Sequence, residues 1–152
     1  MELQIQTGKK VYTLKDENGN ELGKISFNPS DPNFMARVKG FRNYLESKDT
    51  QIKEIDRLIK DGKVEAAVDV MVELDKELKD RIDEIFDCKV SEIVFGNTSC
   101  LSRMENGESF VESFLGSILP ELKKGMTGKV EHYTKGYLND RKPSHKSKRK
   151  RH

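Results

Sequence analysis

A chain of 152 residues can enclose one hydrophobic core with appendages and is too short for two ordinary ones. Hydrophobic residues make up 34% against 36% charged, which favours a thin, broadly solvated body, and no run approaches the roughly 20 apolar residues of a membrane-spanning helix. The net charge of +2 is unevenly placed: seven basic residues against one acid give +6 over 139–152 and leave 1–138 at −4, so an acidic body carries a basic tail.

In chain order, Met1–Ile5 lacks the basic and apolar regions of a signal peptide, so the protein is expected to stay in the compartment where it is made. Residues 2–27 read as two or three antiparallel strands. Leu3 and Ile5 alternate with polar residues, Val11–Leu14 is β-branched and aromatic, and Ile25 and Phe27 alternate again. Gly8-Lys9 and Asp16-Glu17-Asn18-Gly19-Asn20 supply the turns, and so small a sheet has to rest on helices or on another chain. Pro29 and Pro32 close this region, and Asp31-Pro32 has the residue types of an N-cap followed by the first helical position.

Phe34, Val38, Phe41 and Leu45 then fall on one helical stripe to about Lys48. Ile52, Ile55, Leu58 and Ile59 continue it to Asp61-Gly62, with the role of Asp49-Thr50 left open between a break and a decoration. Val64, Ala67, Val70 or Met71, Leu74, Leu78, Ile82 and Ile85 predict the longest helix, of about six turns. A short apolar helix, Val90 to Phe95, ends at Gly96-Asn97. From Gly107 the repeat resumes through Phe110, Val111, Phe114, Leu115, Ile118, Leu119 and Leu122, with Pro120 expected to kink or divide the helix. Gly125, Gly128 and Gly136 suggest that helical order decays beyond Lys123, and the residues after Leu138 are expected to be disordered. The fold class is therefore α+β, mostly α: a small β region at 1–28 forms one domain with a helical body at 29–138, and a disordered basic tail occupies 139–152.

The residue types offer no obvious chemistry. Counting twelve positions from Asp16 puts Glu21 and Phe27 where a calcium loop needs glycine and a bidentate glutamate, so this run reads as a turn. Cys88 and Cys100 have no zinc spacing and read as reduced thiols, one or both buried. The three histidines lie at 132, 145 and 152, far from any paired nucleophile, and no glycine-rich phosphate loop occurs. Glu73, Asp75, Glu77, Asp80, Asp83 and Glu84 alternate with lysines and read as a solvated face. No enzyme activity, metal or cofactor is expected. Arg141, Lys142, Lys146, Lys148, Arg149, Lys150 and Arg151 could neutralise phosphates. With no aromatic residue after Tyr137 to stack on bases, nucleic acid is not expected to be the main target, and a small nucleic-acid-associated protein is the alternative reading.

The β region, the acidic amphipathic helices from Phe34 to Phe86, the segment Val90-Ser91-Glu92-Ile93-Val94-Phe95-Gly96-Asn97-Thr98-Ser99, the helix Phe110–Leu115, and Tyr133–Leu138 with its basic extension together resemble the tail assembly chaperones of long-tailed bacteriophages and prophages. The resemblance implies a non-enzymatic protein of the host bacterial cytoplasm. Such a protein binds the tape measure protein and keeps it soluble while tube subunits polymerise around it; the tail tube protein and self-association are further possible contacts. The family transfers no fixed binding residues. The protein-binding site is expected instead on the apolar stripe Phe110, Phe114, Leu115 and Ile118, with the basic tail as a second contact.

Overall fold

The turn at Asp16–Asn20 shows how local chemistry starts the fold. Asp16 Oδ1 accepts from the backbone N–H groups of Asn18 and Asn20, both at 2.9 Å, and Gly19 takes a φ of 84° that side chains rarely adopt. In this computed structural model, which describes the backbone of residues 1–141 and the side chains of residues 1–127, the turn joins strand β1 (Lys10–Lys15) to strand β2 (Glu21–Phe27). The two strands form an antiparallel sheet with Tyr12 opposite Ile25 and a register slip between Leu14 and Lys15. Ile25 and Phe27 are buried and Tyr12 and Leu14 half-buried, giving the ribbon one core face.

Leu3 and Ile5, expected to form a further strand, are outside the sheet and 86% and 77% exposed. Alternation signals that a face could be buried, but burial needs a partner surface. The apolar face of the hairpin is already occupied by Phe34 and Phe86, whose rings pack on Phe27.

Helix α1 (Pro32–Ser47) begins as its residue types require: the Asp31 carboxylate accepts from the Asn33 N–H at 2.9 Å, and Pro32 sits where a donor would go unused. The stripe Phe34, Val38 and Phe41 is buried. The open question at Asp49-Thr50 resolves as a break one residue earlier. Lys48 leaves helical geometry with its N–H on Leu45 O, and α2 (Asp49–Lys60) starts immediately after it. Lys48 Nζ lies 3.0 Å from Glu77 and 4.9 Å from the Tyr44 ring centroid, so the corner is pinned to the next helix by charge. Gly62, at φ 80°, ends α2 as Lys63 N–H reaches back to Leu58 O.

Helix α3 (Val64–Phe86) is the central post, with Ala67, Leu74, Leu78, Ile82 and Ile85 all buried. Helix α4 (Val90–Val94) has no side-chain cap of its own. Asp83 of α3 serves it from outside, accepting from Ser91 N–H at 2.8 Å and Ser91 Oγ at 2.9 Å. The connection to the last helix is tied to α3 by Asp75, which accepts from Cys100 N–H at 2.7 Å, and by Lys79, which donates to Thr98 O at 2.9 Å.

Helix α5 runs from Phe110 to Arg141, so Pro120 does not divide it and the helix continues past Lys123. The carbonyl crowded by a helical proline belongs to the residue four positions earlier. Here that residue is Gly116, whose backbone has the most latitude to yield. Gly125, expected to weaken the helix, is a packing residue: a Cβ there would overlap the Pro29 carbonyl, and Ser30 Oγ donates to Gly125 O at 3.1 Å. Of the tail expected to be disordered, 142–152 lie outside the described residues.

The architecture is α+β and mostly helical, a two-stranded ribbon resting on a helical body around one contiguous core. A chain of rings links the elements: Tyr12 to Phe27 at 4.5 Å between centroids, Phe27 to Phe34 at 4.9 Å, Phe34 to Phe86 at 5.2 Å, Phe86 to Phe114 at 5.9 Å, Phe114 to Phe95 at 6.0 Å and Phe95 to Phe110 at 4.7 Å. Every element except α2 and α4 contributes a ring to it, and Phe95 follows directly on the end of α4.

Candidate functional site

The residues expected to bind a partner hold the body together instead. Phe114, Leu115 and Ile118 are buried, and the half-buried Phe110 packs its ring edge to face on Phe95. Helical periodicity marks an apolar stripe without saying whether the molecule itself covers it; α5 is covered by α3 through Phe86, by Phe95 at the end of α4, and by Pro29 in the link between β2 and α1. The side chains of the basic tail lie outside the described ones.

Several polar side chains bond elements of the fold to one another. Asp75 and Asp83 accept from backbone N–H groups, and Ser109 and Glu112 form a reciprocal capping box at the start of α5. The Cys100 thiol is held far above its ordinary range by burial, with the Asp75 carboxylate adding to the shift, so it stays protonated and a poor nucleophile. Cys88 is exposed and free. Among the described residues no group of three or more His, Cys, Asp or Glu could hold a metal ion.

Apart from Met1, Leu3, Ile5, Val11 and Leu22 in the N-terminal region, the uncovered large apolar side chains among the described residues lie on α2 and α3. Val64, Val68 and Val72 are 54%, 43% and 61% exposed. At intervals of four residues they form one stripe along the first half of α3, flanked in sequence by Glu65, Asp69 and Glu73. The periodic run in the sequence counts Val64 with the core and takes in neither Val68 nor Val72. The signal available was the density of valines over 64–72, which exceeds what one buried stripe can use.

Beside this stripe is an open groove of about 500 Å³. Its apolar lining is Leu45, Ile52, Ile55, Ile59, Met71 and Leu101. Among the described residues its charged lining is Glu46, Asp49, Asp56 and Glu112 against the single cation Arg103. Met71 lies seven residues after Val64 and three after Val68, so groove and stripe adjoin on the same side of α3. Helix α2 buries only Ile55 fully, which leaves Ile52 half-covered and Ile59 exposed at the groove. An apolar bed with a negative rim can accept an amphipathic helix and favours one that carries positive charge.

No helix among the described residues is long and apolar enough to cross a membrane. Comparison with protein-family models, curated proteins and solved structures finds no match to this chain.

Proposed function

We propose that the protein is a phage tail assembly chaperone that binds the tape measure protein in the host bacterial cytoplasm and keeps it soluble for tube polymerisation. The observation that carries the reading is the exposed stripe Val64, Val68 and Val72 on an acidic helix, together with the resemblance in the sequence. Before a tube encloses it, a long helical protein exposes apolar stripes, and holding it in solution takes many modest contacts that release without ATP. Three adjoining half-exposed valines suit such contacts: each offers part of an apolar side chain at about 25 cal/mol per Å² of surface buried. The acidic residues around them keep the body itself dissolved.

The test is co-expression with the tape measure protein of the same phage or prophage. The protein is expected to co-purify with it and raise its soluble fraction, and the triple variant Val64→Ser, Val68→Ser and Val72→Ser to lose capture while melting as a folded helical protein. A tape measure protein equally soluble alone, or capture undiminished in the triple variant, refutes the reading at this surface.

A further inference from the structure

We propose that the groove between α2, α3 and the start of α5 receives the C-terminal part of α5, from residue 129 onward, of a second copy of this chain, so that the protein self-associates. Three observations lead there. The groove has an apolar bed and a rim of four carboxylates against one guanidinium. The matching segment is in the same sequence: Val130, Tyr133, Tyr137 and Leu138 recur at helical spacing, residues 129–141 hold three lysines and arginines against two acids, and residues 142–152 add six more against none. The backbone of that segment is helical as far as Arg141. Apolar stripe and positive charge thus meet their complements.

The third observation decides between the chain's own segment and that of a neighbour. Glu112 lines the groove and sits in the first turn of α5, and Val130 follows eighteen residues later in the same unbroken helix. At 1.5 Å per residue the two are about 27 Å apart along the axis. A continuous helix cannot fold back on its own beginning, so an occupant drawn from 129–141 comes from another molecule. This inference does not rest on the chaperone proposal, since none of Val64, Val68 and Val72 lines the groove and association is read on the protein alone.

The experiment is sedimentation of the full-length chain at low and at high salt. The expected result is a species of at least twice the single-chain mass at low salt that dissociates as salt screens the rim. Glu46 and Asp56 make no ion pair among the described residues. Reversing both, Glu46→Lys with Asp56→Lys, is therefore expected to weaken association about tenfold or more without unfolding the body, as circular dichroism would verify. Adding Lys135→Glu and Arg141→Glu to that variant is expected to restore it. A single-chain mass at every salt concentration overturns the proposal, as does association that survives the rim reversal or removal of residues 129–152. A chain that stays single while its groove captures a basic helix of another protein overturns the choice of occupant.

Discussion

Single residues in this protein sort by whether their partner is near in sequence. Asp31 bonds Asn33 two positions away, and Asp16 bonds Asn18 and Asn20, so the helix start and the hairpin turn were both legible from residue types alone. Asp83 reaches Ser91 across a helix end, and nothing in the spacing announces that bond. Asp83→Ala should leave a buried hydroxyl and the N–H at the start of α4 unpartnered and cost about 1–3 kcal/mol, read from urea unfolding. The two thiols should separate cleanly under an alkylating reagent at neutral pH. Cys88 is expected to label at once, and Cys100, buried and held protonated, only at the rate of opening; equal labelling would show that the Cys100 site is open. The Asn20 N–H, foremost among its partners, holds the Asp16 carboxyl below the usual range. A depressed folded pKa means that its contribution is present above the unfolded value of about 3.9 and is lost as pH falls through the folded value. The Asn18 and Asn20 amide resonances should therefore stay fixed near neutrality and move only in acid.

At the scale of elements, glycines distinguish packing from propensity. Gly125 has the Pro29 carbonyl where a Cβ would go, whereas Gly40, inside α1, faces open space. Gly125→Ala is expected to destabilise by about 1–3 kcal/mol through overpacking. Gly40→Ala should stabilise by about 0.5–1 kcal/mol, because the helix gains propensity without a clash. Opposite shifts in urea midpoint would check both. Composition alone treats the two alike, which is why Gly125 read as the point where α5 weakens. The same limit explains the site. Periodicity over 64–86 and 110–122 located the helices closely, yet which stripe is covered depends on contacts far apart in sequence, such as Phe86 with Phe114. The stripe expected to bind a partner is therefore inside, and the valines left outside were legible only as a surplus. Phe114→Ala, as a core truncation, should cost about 3–5 kcal/mol.

At the scale of the whole molecule, the acidic body and the basic end are separable in charge. Truncation after Leu138 removes +6 and leaves a chain of −4. In solutions dilute enough to hold single chains, the melting temperature should move by less than about 2 °C, because no buried contact of the described side chains is lost. Association with acidic partners should weaken and lose much of its salt dependence. Scanning calorimetry of the two forms tests the first expectation, and a large drop would place the tail in the folded body. The corner at Pro29 and Ser30 has a consequence for how the molecule comes into being. Its lock, the Ser30–Gly125 bond, joins residues 95 positions apart, and at about 5–20 residues per second the ribosome delivers the second partner roughly 5–20 s after the first. Late in that interval Phe27, Phe34 and Phe86 can already stack, while Phe114, the next ring in the chain, has yet to be made or is newly emerged. Nascent chains arrested before Phe110 should thus be cut readily by protease, and those released beyond Gly125 should resist.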